Sequence, residues 1–62
     1  KSIKLATIYN DLGHTYGTIK DKTNALYYLN KAYELRLLHL GENNRYTNDT
    51  RYKINSVKHT KK

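Results

Sequence analysis

Apolar residues recur at Leu5, Ile8, Tyr9, Leu12 and Tyr16, in steps of three and four. A 3.6-residue turn brings that spacing onto one stripe, which predicts a helix over residues 2–18 with Ser2 capping its start. Gly13 falls inside the stripe. A glycine in a helix interior costs about 1 kcal/mol against alanine, and it is best accommodated where a second helix must pass close by. Residues Gly17–Lys22 read as a turn, and Asp21 is a competent N-cap for the segment that follows. A second helix is predicted from Lys22 to Leu40, with an apolar stripe at Ala25, Leu26, Leu29, Ala32, Tyr33, Leu37 and Leu40, and Gly41 as its stop. The short link predicts an antiparallel helical hairpin. Residues 41–46, GENNRY, read as a polar loop. Thr47 or Asn48 is then expected to cap a third, weaker helix whose apolar residues are Tyr52, Ile54 and Val57.

The small and aromatic residues of the hairpin stand at fixed offsets. They read Tyr9-x2-Leu12-Gly13-x2-Tyr16 on the first helix and Ala25-x3-Leu29-x2-Ala32 on the second. This resembles a tetratricopeptide repeat (TPR), in which Gly and Ala let two helices approach and the larger residues fill the space around the crossing. The usual proline after the second helix is replaced here by Leu37, and the helix continues through ELRLLHLGENN. That feature is similar to the longer repeat of kinesin light chains and their relatives, with a period of about 42 residues. Leu12 maps onto Ile54 at that period, whereas Tyr9, Gly13 and Tyr16 map onto Arg51, Asn55 and Lys58. In the turn, Lys20 and Lys22 replace the family's glycine and aromatic. The resemblance implies an all-α fold, an antiparallel helical hairpin plus a third helix, or about one and a half repeats of an α-solenoid. Residues 1–46 would form one complete hairpin with its following loop. Residues 47–62 would form the first helix of a degenerate second repeat with a basic tail.

Sixty-two residues allow one small domain, and the chain contains no cysteine, so neither a disulfide nor a thiolate metal site stabilises it. No apolar run approaches the roughly 20 residues that cross a bilayer, and KSIKLATIYNDL lacks the apolar core of a signal peptide. No membrane association and a cytoplasmic setting are expected. The net charge is +7, with six Lys/Arg against three Asp/Glu in residues 1–40 and six against two in residues 41–62. A basic balance favours anionic partners and also keeps a small protein soluble.

The residues carry no catalytic pattern. Gly13, Gly17 and Gly41 fit no phosphate-binding loop, and His14, His39 and His59 fall on different elements. His14 lies one turn from Asp11, but a general base also needs a nucleophile and a pocket. No metal-ligand cluster is present in the pattern, and no cofactor is implied. Asn48-Asp49-Thr50 matches an N-glycosylation acceptor, at a frequency that chance explains in an asparagine-rich chain.

The expected function follows from the resemblance: a non-enzymatic protein–protein interaction module whose stacked helices bind a peptide or partner helix in a concave groove. The groove positions carried over are Thr7, Asn10 and His14 on the first helix and Asp49, Tyr52 and Ser56 on the third, with Asn10 foremost because its amide both donates and accepts. One and a half repeats bury little, so the chain is expected to be a piece or remnant of a longer array, or to self-associate. Leu26, Leu38 and Tyr27 are the residues expected to await a neighbour. The alternative is a small basic nucleic-acid-binding helical protein that uses Lys53, Lys58, Lys61 and Lys62.

Overall fold

The computed structural model describes residues 2–59, with side chains from Ile3 onward. It has three helices and no strand among the described residues: α1 (Ser2–Thr18), α2 (Lys22–Leu40) and α3 (Arg45–Lys58). The Ser2 side chain, and with it the proposed cap, lies outside the described residues, as do Lys61 and Lys62. Helices α1 and α2 form the hairpin, and α3 packs chiefly on α2.

Capping chemistry sets the hairpin turn. The Asp21 carboxylate accepts from the backbone N–H of Asn24 at 3.3 Å and from its side-chain amide at 2.8 Å. On the other side of the turn, the N–H of Asp21 reaches the Tyr16 carbonyl at 2.8 Å and that of Lys20 reaches Gly17 at 3.1 Å. These two bonds make a Schellman ending of α1, and Lys20 sits at its left-handed position with φ 66°. The Gly41 N–H closes α2 onto Leu37 at 3.0 Å, with φ 85°.

The hairpin seam is built from small residues. Ala6, Ala25, Leu29 and Ala32 are fully buried, and Gly13 is buried among them. A Cβ on Gly13 would stand 2.5 Å from Leu29 Cγ and 3.1 Å from the Ala25 carbonyl. The helices therefore approach as the Gly13/Ala25 pattern predicts, and Leu29 occupies the space that the missing side chain leaves. So close an approach corrects the expected face of α1. Leu5, Ile8 and Leu12 are exposed at 42%, 53% and 38%, because bulky side chains in the seam would hold the helices apart. Ala6, Asn10 and Gly13 take the seam instead. Tyr9 and Tyr16 lie half-buried at its edge, where both stack on Tyr28, with ring centroids 5.9 and 5.6 Å away.

Along α2 the buried residues are Ala25, Leu29, Ala32 and Arg36. Leu26, Tyr33 and Leu40 are half-buried, and Leu37 is exposed. The start of α3 is also corrected. Its N-cap is Asn44, whose side chain accepts from the Tyr46 N–H at 2.8 Å. Thr47 and Asn48 lie inside the helix, and Thr47 is buried. An asparagine already stands at the end of the polar loop, so the cap falls three residues before Thr47 and four before Asn48. The 46/47 boundary thus falls within α3.

Candidate functional site

Helices α1 and α3 meet only lightly and leave a cleft of about 440 Å³ between them. Gly13, Gly17, Leu29 and Val57 give it an apolar base. A Cβ on Gly17 would meet Val57 Cγ2 at 3.7 Å, an ordinary contact, so α1 and α3 come together just there. His14 and Thr18 contribute polar groups from α1, while Asp49, Tyr52, Lys53 and Ser56 do so from α3. Period 3.6 explains the set: 14 and 18 share one face, as do 49, 52, 53 and 56.

Four of the six groove positions carried over from the sequence, His14, Asp49, Tyr52 and Ser56, thus line one cleft. Thr7 does not line it. That residue is exposed, and its hydroxyl donates back to the Ile3 carbonyl at 3.4 Å. Asn10 is placed differently from its expected role. It is 8% exposed, and its Oδ1 lies 3.1 Å from the Thr50 hydroxyl. Its amide links α1 to α3 beside the cleft and does not line it. Thr18, Lys53 and Val57 line the cleft without being among the groove positions carried over, although 18 and 53 follow from 14 and 49 by one helical turn.

A buried polar chain supports the cleft from behind. Arg36 is 6% exposed, and its Nη1 donates to Thr50 Oγ1 at 2.8 Å and to the Tyr46 carbonyl at 3.2 Å. The single hydroxyl proton of Thr50 serves either the Tyr46 carbonyl, 3.2 Å away, or Asn10 Oδ1. The Arg36 guanidinium also lies 5.5 Å from the centre of the Tyr46 ring. Asn10, Thr50 and Arg36 therefore tie all three helices together, and no carboxylate pairs with Arg36 among the described residues. Sequence reading missed this chain because Arg36 interrupts an otherwise apolar stripe.

The electrostatics of the cleft are mixed. Lys53 Nζ donates to Asp49 at 2.7 Å, so the best-placed lysine of the nucleic-acid reading is already paired. Asn48-Asp49-Thr50 lies within α3; Asn48 Oδ1 accepts from Arg51 at 2.7 Å, and Thr50 is fully buried. The acceptor motif is thus not presented by the folded chain. Among the described residues there is no group of three or more His, Cys, Asp or Glu that could hold a metal ion. Nor, among them, is any helix long and apolar enough to cross a membrane. In comparisons with protein-family models, with curated proteins and with solved structures, the chain has no match.

Proposed function

We propose that the chain is a non-enzymatic protein-interaction module, a TPR-like piece of a longer helical array that works in the cytoplasm. Its ligand is a peptide held in the α1–α3 cleft. The observation that carries the reading is the convergence of His14, Asp49, Tyr52 and Ser56, selected by repeat offset, on one cleft with an apolar base. A cleft with an apolar floor and a few polar groups on its walls suits a peptide, whose side chains fill the floor while its backbone meets the polar groups. Paired Lys53 offers little free positive charge to a phosphate backbone.

Phage-displayed peptides selected on the 62-residue chain provide the test, followed by NMR mapping of the best binder. Shifts should concentrate on His14, Thr18, Tyr52 and Val57. Tyr52 is 73% exposed, so Tyr52→Ala should leave the melting temperature unchanged and weaken peptide binding about tenfold. No selectable peptide, or shifts mapping away from the cleft, would overturn the reading. So would tighter binding to single-stranded oligonucleotide with a steep salt dependence.

A further inference from the structure

The residues that α3 buries are Thr47, Thr50 and Ile54. Forty-two residues earlier stand Leu5, Ile8 and Leu12, the exposed apolar stripe of α1. The same offset carries Asn44, the N-cap of α3, onto Ser2. Helix α1 therefore presents, uncovered, the positions by which α3 sits on the hairpin. By the 3.6-residue turn they lie roughly opposite His14 and Thr18, away from the cleft.

We propose that this stripe seats α1 on a second helical hairpin of the same construction, one that carries an apolar residue where this chain has Arg36. Charge decides the occupant. Arg36 can be buried against α3 because Thr50 offers a hydroxyl 2.8 Å away, beside the Tyr46 carbonyl at 3.2 Å. The equivalent position on α1 is Ile8, which offers none, so an arginine facing it would lose that partner in an apolar seam. A second copy of this chain fits poorly for that reason. Its α2 surface is also already covered by its own α3, and two chains of charge +7 repel each other. This inference rests on the repeat reading above, but not on the cleft binding a peptide.

The probe is a tandem in which residues 1–42, with Arg36→Leu, directly precede residues 1–62. The tandem should unfold in one transition, at least about 5 °C above the 62-residue chain. Keeping arginine in the upstream copy should remove most of that gain. Ile8→Asp in the downstream copy should abolish it, yet leave the melting temperature of the 62-residue chain unchanged. Because the chain has no cysteine, Ile8→Cys gives a single thiol. In the tandem it should react with iodoacetamide at least tenfold more slowly than in the 62-residue chain. Equal alkylation rates or an unchanged melting temperature would overturn the proposal. So would a 62-residue chain whose melting temperature rises with its concentration until Ile8→Asp is introduced, since a second copy would then be the occupant. Peptide binding at the cleft is read separately, so its failure leaves these outcomes intact.

Discussion

A Cβ placed on Gly13 would stand 2.5 Å from Leu29 Cγ and 2.7 Å from its Cδ2, while Leu29 is fully buried. The nearest atom, Cγ, is the branch point of the side chain, so the whole of Leu29 must shift to make room. Helix propensity alone favours Gly13→Ala by about 1 kcal/mol. Overpacking opposes it by roughly 1–3 kcal/mol, and the Ala25 backbone at 3.1 Å adds to the conflict. Gly13→Ala should therefore lower the denaturation midpoint. Gly13→Ala combined with Leu29→Ala should be less harmful than the sum of the two, because truncating Leu29 makes the space the new methyl needs. Urea unfolding of the four variants checks this; strict additivity would mean that the crossing is looser than the distances state.

Lys20 holds φ 66° at the Schellman position that ends α1, a place usually taken by glycine. A non-glycine residue there carries strain of about 1–3 kcal/mol. Glycine relieves the strain but gives back part of the gain by loosening the unfolded chain. Lys20→Gly should raise stability by about 1 kcal/mol, and Lys20→Val should lower it, since a β-branched residue fits that conformation worst. Thermal melts of the two variants beside the parent decide the matter.

How far the fold is legible in the sequence depends on which residue carried the signal. Asp21 caps α2, Gly41 ends it, and Gly13 and Ala25 are small enough for the close crossing, so the hairpin follows from these four residues. Ranking by hydrophobicity misassigns the inner face of α1. It selects Leu5, Ile8 and Leu12, whereas the close crossing requires Ala6 and Gly13 and turns the bulky stripe outward. Of the residues expected to await a neighbour, Leu38 and Tyr27 are exposed and Leu26 is half-buried. Asp49, Tyr52 and Ser56 come from the repeat resemblance, as the equivalents of Thr7, Asn10 and His14 forty-two residues on, and the helical period keeps them on one face. Arg36 is not readable, because its burial depends on Thr50, 14 residues away, and the link to Asn10 spans 40.

Thr47 is 1% exposed, and its hydroxyl has no hydrogen-bond partner among the described residues. A buried hydroxyl without a partner costs about 1–3 kcal/mol. Thr47→Val keeps the shape and removes the polar atom, so it should raise stability by about 1 kcal/mol or more. Thr47→Ser keeps the hydroxyl and loses the methyl, so it should lower stability. A valine variant no more stable than the parent, measured by urea unfolding, would show that the hydroxyl is satisfied in solution.

The Asn10–Thr50–Arg36 chain is the least forgiving part of the core, because it holds a buried cation on neutral acceptors. Thr50→Val removes the hydroxyl that accepts from Arg36 and leaves a guanidinium that is 6% exposed short of a partner. A loss of about 1–3 kcal/mol is expected. Asn10→Ala removes only the far end of the chain, where Thr50 retains the Tyr46 carbonyl as an alternative acceptor at 3.2 Å. Its loss should be smaller, about 1 kcal/mol. Arg36→Met removes the charge and keeps an unbranched apolar side chain in its place. Once arginine is gone, Thr50→Val should cost less, only what the loss of the Asn10 bond costs, since the guanidinium no longer needs the hydroxyl. A double-mutant cycle on Arg36 and Thr50 should thus give a coupling of about 1 kcal/mol or more, favouring the native pair. Zero coupling would mean that water, not Thr50, carries the guanidinium. The buried chain would then not be what ties α3 to the hairpin.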